Sequence, residues 1–243
     1  MFIKNTQSHH DGFHLRGHEV KRIETFSDGV FAFAVTLLIV SLEVPKSFEE
    51  LLITMRGFFA FGICFTLLLL IWHEQHRFFR RYGMEDRLTI ALNSLLMFIV
   101  LFYVYPLKFL FTIIFSNSIY GDGKSPFSIT YEQVPTLMII YGTGYIIIYL
   151  IFMLLYLHAY RNRVSLQLTT VELFDTRTKI YSNLILISIG LLSILVAVMV
   201  PADKAGFSGM VYMLIGIALF IYYSARGKMR RRVYQPITHQ KEA

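Results

Sequence analysis

Hydrophobic and polar positions divide the chain into six long apolar segments joined by shorter polar connections. The first segment covers residues 22–44, and the others cover approximately residues 50–79, 88–115, 134–160, 180–200 and 206–225. Each segment is long enough to cross a bilayer core of ~30 Å as a helix that rises ~1.5 Å per residue. The pattern therefore predicts an all-α integral membrane protein with six transmembrane helices per subunit.

The first segment differs from the others because polar groups interrupt its apolar character. No ionisable side chain occurs from Gly29 to Leu42, but Asp28 stands at the beginning of this run. Hydroxyl groups accompany it at Ser27, Thr36 and Ser41. Polar and ionisable side chains at membrane depth usually face the interior of a helix bundle or an aqueous path. We therefore expect the first helix to be the functional one.

Composition and charge exclude a soluble protein. Hydrophobic residues make up 55% of the chain, and the mean hydropathy is +0.54, whereas soluble domains contain ~45–50% apolar residues. A net charge of +7 in a soluble chain would suggest nucleic acid as a partner, but here the cations lie between the apolar segments. We therefore expect a lipid bilayer and not nucleic acid as the partner. Cys64 is the single cysteine, so no intramolecular disulfide can form.

The distribution of basic residues predicts the orientation in the membrane. Of the 23 Lys and Arg residues, eighteen fall in residues 1–23, 77–87, 161–179 and 226–243, which lie on one side of a six-helix topology. Basic residues accumulate in cytoplasmic loops. We expect a multi-pass protein of the cell membrane with both termini in the cytoplasm. The domains are then a solvated polar tail (1–18), a six-helix transmembrane domain (19–226) and a basic C-terminal tail (227–243).

Three predicted helices carry polar residues at the same membrane boundary. The first helix enters the membrane at Asp28, the second leaves it at Trp72 and His76, and the third enters again near Asn93. A hydrogen-bonded network of these four residues with Ser27 is therefore geometrically plausible. The alternative is that they are ordinary polar residues at the interface.

An apolar stripe continues along the first helix. Phe33, Leu37 and Val40 recur at positions i, i+4 and i+7, and Thr36 lies beside them. Such a stripe often packs against lipid or a protein core. The alternative is a pore lining with a hydrophobic constriction, which gates an ion path by dewetting.

No motif indicates an enzyme. His73-Glu74-Gln75-His76 places two histidines at i, i+3, whereas the zinc motif H-E-x-x-H needs them at i, i+4. The N-terminal histidines at positions 9, 10, 14 and 18 have neither a cysteine nor a framework of carboxylates, which a specific metal site would need. Nucleophile elbows and phosphate-binding glycine loops are also absent from the sequence. We expect no catalytic residues, no bound metal and no cofactor.

The first helix resembles a known family. Arg22-x-x-x-Phe26-Ser27-Asp28, continued by Gly29-Val-Phe-Ala-Phe-Ala-Val-Thr36-Leu-Leu, resembles the signature of the transmembrane protein 175 family. This family contains the lysosomal potassium channels of animals and their prokaryotic relatives. Asn93-Ser-Leu-Leu and Tyr105-Pro106 are similar to the two ends of the family's third helix. Six spans correspond to the prokaryotic form with a single repeat.

The resemblance implies a potassium-selective cation channel formed by a homotetramer. Four copies of the first helix would line its pore, with potassium as the conducted ion and with no carbonyl selectivity filter. The constriction would map to Phe33, Leu37 and Val40, although Phe33 departs from the family's usual Ile or Leu. Thr36 and Ser41 would be the polar residues of the pore lining. Arg22 and Phe26 would join the boundary network as motif residues.

Two other functions remain open at this point. The first is a proton pathway or secondary transporter that uses Asp28 and the nearby histidines. Transporters tend to have helices broken near the middle of the membrane, and the first helix has neither proline nor paired glycines there. The second is a membrane enzyme or metal-dependent protein that uses His73 and His76.

Overall fold

A computed structural model describes residues 9–10, 13–17, 19–40, 46–115 and 129–239. Within these ranges the fold consists of six α-helices, a two-stranded antiparallel hairpin and two 3-10 segments. The helices are α1 (Arg22–Val40), α2 (Phe48–Tyr82), α3 (Arg87–Ile114), α4 (Val134–Arg161), α5 (Thr170–Met199) and α6 (Leu214–His239). The hairpin pairs β1 (His9–His10) with β2 (Phe13–His14), and the 3-10 segments Tyr131–Gln133 and Ala202–Met213 precede α4 and α6. The predicted all-α class is therefore confirmed.

Five segments of the described chain are long and apolar enough to span a membrane. They are Phe48–Tyr82, Arg87–Ile114, Tyr131–Arg161, Thr170–Met199 and Ala202–Arg230. Helix α1 is not among them; it has 19 residues, and Arg22, Glu24 and Asp28 carry charge near its N-terminal end. The chain is thus a membrane protein with multiple candidate spans, and a membrane crossing by α1 remains a prediction.

The boundaries of two helices differ most from the sequence expectation. Helix α5 begins at Thr170 instead of near residue 180, because Thr169 and Glu172 form a capping box ahead of it. Each backbone N–H in this box donates to the other side chain, at 3.3 Å and 2.8 Å. Helix α6 begins at Leu214 instead of near residue 206, because the 3-10 segment precedes it, and it continues to His239, well beyond the expected end at Ala225. The part of α6 after Ala225 includes Arg226, Lys228 and Arg230, which are good helix formers.

A tight turn makes α2 and α3 antiparallel neighbours. Gly83 has a φ of 57°, a left-handed conformation that strains other residues, and its N–H donates to the Phe79 carbonyl at 2.8 Å. Asp86 then caps α3 by accepting from the Leu88 and Thr89 backbone N–H groups. The turn brings the C-terminal end of α2 and the N-terminal end of α3 to the same side of the molecule.

Helix α4 packs closely against both α3 and α5 through small residues. A Cβ atom at Gly142 would lie 2.6 Å from Ile194 Cγ1 on α5, and one at Gly144 would overlap the Tyr103 ring on α3. Side chains would have to shift to admit either atom. These glycines therefore allow close contact between the helices, and the buried core forms around this region. It includes Leu38, Leu68, Leu96, Val100 and Leu155.

The N-terminal segment packs against the helices, which corrects the expectation of a solvated tail for residues 13–17. The Phe13 side chain is 1% exposed and meets the Tyr82 ring edge-on, with the ring centroids 5.6 Å apart. Arg16 forms two hydrogen bonds of 3.0 Å and 2.8 Å with the fully buried Glu172 carboxylate at the start of α5. In the sequence, only one aromatic residue among histidines, Phe13, indicated that this segment packs against the helices. A single residue without periodicity is a weak indication.

Candidate functional site

Helix α1 has two faces of opposite character. One face is buried against the rest of the subunit and carries Ser27, Phe31, Ala34 and Leu38, spaced at i, i+4, i+7 and i+11. The opposite face is exposed and carries Arg22, Phe26, Gly29, Phe33 and Thr36, spaced at i, i+4, i+7, i+11 and i+14. Both series follow the helical period, so α1 is attached to its subunit along one side only.

A buried chain of hydrogen bonds attaches α1 to α2 and α3. Asn93 on α3 donates from Nδ2 to Ser27 Oγ at 2.8 Å and accepts at Oδ1 from Gln75 Nε2 on α2 at 3.2 Å. Ser27 donates in turn to the Ile23 carbonyl at 2.7 Å. All three side chains are at most 2% exposed. Buried polar groups that satisfy one another hold helices in a specific register, so this triple fixes the position of α1.

A second polar contact lies on the flank of α1, at the same end of the helices. The Trp72 indole Nε1 donates to Asp28 Oδ1 at 2.7 Å. The indole also stacks on the His76 ring, with the centroids 5.4 Å apart and the planes 18° apart. The five predicted boundary residues therefore form two separate groups instead of one network. One group contains Ser27 and Asn93, and the other contains Asp28, Trp72 and His76.

Arg22 and Phe26 do not belong to either group within the subunit. Both are exposed, Phe26 by 65%. Among the described residues, Arg22 has no hydrogen bond and no ion pair within this chain. The prediction that these two residues belong to a network within the subunit is therefore wrong. Their i, i+4 spacing places them on the same face of α1, and that face is the exposed one.

The three predicted constriction residues do not have equal positions. Phe33 is 56% exposed, whereas Leu37 is partly buried and packs against the subunit core. Thr36 is exposed, and its hydroxyl donates to the Phe33 carbonyl at 2.7 Å. The Val40 side chain and the whole of Ser41 lie outside the described residues. The exposed face of α1 is therefore centred nearer to Phe33 and Thr36 than to Leu37.

Sequence reasoning missed two residues that position α1. Gln75 completes the buried triple. In the sequence it was one polar residue at a membrane boundary, within the His73–His76 segment that was considered as a metal motif. Lys108 on α3 donates from Nζ to the Leu38 carbonyl near the C-terminal end of α1, at 2.8 Å. A lysine at this depth indicated only that its long side chain reaches toward water. Its actual contact is with a carbonyl in the last turn of the described helix.

The motif that suggested a metal enzyme has a structural role. The Glu74 carboxylate accepts from Lys179 Nζ at 2.8 Å at both oxygens, and from the Tyr156 hydroxyl at 2.6 Å. His73 lies 2.7 Å from Arg77 on the exposed side of the same helix. The motif therefore ties α2 to α4 and α5.

Known proteins resemble the chain over most of its length. The family model described as the endosomal/lysosomal potassium channel TMEM175 matches residues 22–103. A protein named potassium channel, from Marivirga tractuosa, is 38% identical over 234 residues, which cover 92% of this chain and 94% of the relative. A potassium channel from Chamaesiphon minutus is 35% identical over 96 residues, which cover 36% of this chain and 47% of the relative.

A solved structure agrees with these matches. The crystal structure of a variant of the potassium channel MtTMEM175, in complex with a nanobody–MBP fusion protein, superposes with a TM-score of 0.80 at 36% identity. The match covers 91% of this chain and 99% of that chain. These relatives are channels and not enzymes, which confirms the expectation drawn from the missing catalytic motifs. Because the identity to the Marivirga protein extends over nearly the whole of both chains, this chain belongs to the TMEM175 potassium channel family.

Proposed function

We propose that the chain forms a potassium-selective cation channel of the cell membrane, with a pore lined by four copies of α1. The observation that carries this proposal is the outward face of α1, which presents Thr36 and Phe33 away from the subunit that anchors the helix. A polar group at membrane depth is costly against lipid, so such a face favours a water path. The relatives named as potassium channels support the choice of ion.

The exposed surface around α1 supports a symmetric oligomer. One helix face cannot enclose a water path, whereas copies related by a rotation axis can do so. A cavity of about 260 Å³ lies on the flank of α1 toward α2 and is mostly apolar. Its lining includes Asp28, Ala32, Leu69 and Trp72. In a homotetramer the side chains of a neighbouring subunit would fill this cavity.

In this proposal the constriction is hydrophobic. Fourfold symmetry would stack rings of Phe33, Leu37 and Val40 along the axis, and an ion would lose hydration there without gaining ligands. Phe33 would form the narrowest ring, since it faces outward more directly than Leu37. Thr36 and Ser41 would supply hydroxyl oxygens between the rings. The Thr36 hydroxyl already directs its hydrogen to the Phe33 carbonyl, which leaves its oxygen lone pairs available to a cation.

The proposed topology places all six helices across the cell membrane and both termini in the cytoplasm. The hydrogen bond from Lys108 to Leu38 joins α1 to α3 far from the Ser27–Asn93 contact. Helix α1 thus runs alongside a candidate membrane span from one end to the other. The distribution of Lys and Arg residues supports the orientation.

Ion flux into proteoliposomes tests the proposal. Phe33→Ala should widen the narrowest ring, so we expect faster potassium flux and a lower preference for potassium over sodium. The matched control is Phe102→Ala, which removes an exposed phenyl ring (67%) from α3. Equal flux for the parent and both variants would place the pore elsewhere. Proton flux driven by a pH gradient, lost in Asp28→Ala but unaffected by Phe33→Ala, would instead favour the proton pathway.

A further inference from the structure

A basic cavity lies apart from the α1 surface, between the C-terminal end of α2, the N-terminal end of α5 and the middle of α6. Its volume is about 270 Å³. Five cations and one carboxylate line it, namely Arg77, Arg81, Asp175, Lys179, Arg226 and Arg230. Phe174, Thr178, Tyr223 and Gly227 complete the wall.

Carboxylates neutralise only part of this positive charge. Arg230 pairs with Asp175 through contacts of 3.0 Å and 3.1 Å. Glu74, behind the wall, binds Lys179 at 2.8 Å and lies 3.6 Å from Arg77. Two carboxylates therefore serve three cations. Arg81 and Arg226 have no carboxylate partner within the described part of the chain.

Aromatic rings hold these two guanidinium groups in place. Arg226 Cζ lies 4.3 Å from the centroid of Phe174, and its Nε donates to Thr178 Oγ1 at 3.1 Å. Arg81 Cζ lies 4.8 Å from the centroid of Phe13. A planar guanidinium that stacks on a ring keeps N–H groups at its edge for an anion, in a geometry that suits phosphate.

We propose that this cavity binds a phosphate-bearing anion, supplied either by a phospholipid headgroup or by a soluble phosphate. An excess of cations at a partly desolvated site favours an anion because water screens their mutual repulsion poorly there. Basic pockets between membrane helices bind anionic headgroups in this way. The apolar surface of α6 continues from the cavity through Tyr223 to Phe220, which is 74% exposed, so acyl chains would have a surface to follow.

Binding measurements on the purified, intact protein in detergent test the site. Native mass spectrometry would follow a titration with phosphatidylglycerol, with phosphatidylcholine as the neutral lipid. Inorganic phosphate and pyrophosphate form the soluble arm, each measured by its competition with the lipid and by thermal shift. We expect an anion to bind and its affinity to fall as salt concentration increases. Binding of phosphatidylglycerol would assign the lipid source, and binding of the soluble ions alone would assign the other.

Variants decide whether binding occurs in this cavity. Arg81→Gln and Arg226→Gln should each weaken binding about tenfold or more, the effect of losing one charge-assisted hydrogen bond. Arg80→Gln is the matched control, because Arg80 is exposed on the same turn of α2 but does not line the cavity. Gly227→Leu fills the cavity and keeps every cation, and a Cβ atom at Gly227 meets no atom within 4 Å. Affinities unchanged in Arg226→Gln and Gly227→Leu, or lowered equally in Arg80→Gln, would overturn the proposal.

Discussion

Individual polar side chains of α1 differ in what surrounds them, and the difference predicts what each substitution will do. Ser27 is fully buried and both donates and accepts a hydrogen bond. Thr36 is exposed, and within the described part of the chain it hydrogen-bonds only to its own helix. Substitution of Ser27 or its partners should therefore lower the stability of the subunit, whereas substitution of Thr36 should alter ion conduction in the proposed pore between subunits.

Removal of the centre of the buried triple should destabilise the protein. Asn93→Ala leaves Ser27 Oγ and Gln75 Nε2 without their partner, which costs about 1–3 kcal/mol for a buried polar group. Thermal unfolding in detergent measures the loss. The matched control is Asn183→Ala on α5, since Asn183 is 3% exposed and its Nδ2 has no partner among the described residues. A smaller effect of Asn93→Ala than of Asn183→Ala would contradict a structural role for the triple.

Removal of the Thr36 hydroxyl should alter ion preference without affecting the fold. Thr36→Val keeps the volume and the β-branch but removes the oxygen proposed as a cation ligand. We expect a lower ratio of potassium to sodium flux in proteoliposomes and an unchanged thermal transition. Thr66→Val is the control, because Thr66 is also exposed and bonds to a carbonyl of its own helix, at 2.8 Å. If the two variants have equal selectivity, Thr36 does not line the pore.

Among the secondary-structure elements, the sequence predicted the helices that are long and uniformly apolar. It did not predict the helix start and the buried helix face that depend on caps and tertiary contacts. Apolar runs located α2, α3 and α4 to within a few residues, because membrane helices are long and uniform. The start of α5 was missed because Thr169 and Glu172 cap it among polar residues. The faces of α1 could not be assigned either, since Phe31 and Phe33 have the same chemistry and only the neighbouring helices determine which one is buried.

Helix caps also make one part of the stability depend on pH. Partial burial raises the pKa of the Asp86 carboxyl, but hydrogen bonds from Thr89 and His158 outweigh this effect and hold the pKa below its ordinary value. A lowered pKa in the folded state adds stability above the unfolded pKa of ~3.9, and this stability is lost as pH falls through the folded pKa. We therefore expect the unfolding temperature to decrease below about pH 4.

The variant Asp86→Asn identifies the contribution of this cap. The amide keeps an oxygen that accepts from the first N–H groups of α3 but has no proton to exchange in this range. Its unfolding temperature should therefore decrease less steeply with pH than that of the parent. Equal slopes between pH 5 and pH 3 would show that other carboxyl groups account for the acid sensitivity.

At the scale of the whole molecule, the outward face of α1 suits contact between copies better than contact with lipid. Gly29 lies in the middle of this face, and a Cβ atom there would meet no atom within 4 Å in the subunit. A small residue at an exposed position of a membrane helix allows another helix to approach closely. Phe26 and Arg22, whose side chains have no hydrogen bond or ion pair within the described part of the subunit, lie one and two turns before it and would meet the neighbouring copies.

Gly29→Leu should therefore prevent assembly while the subunit remains folded. Leucine is a better helix former than glycine, so α1 itself should not be weakened, but the added side chain would occupy the space of a neighbouring α1. Light scattering of the detergent complex should give about four times 28.3 kDa of protein for the parent and a smaller mass for the variant. Gly216→Leu is the matched control, because Gly216 is exposed on α6 with equally open space around its Cβ position. If Gly29→Leu has the parent's mass and flux, α1 does not lie at the axis, and the copies must meet through another face.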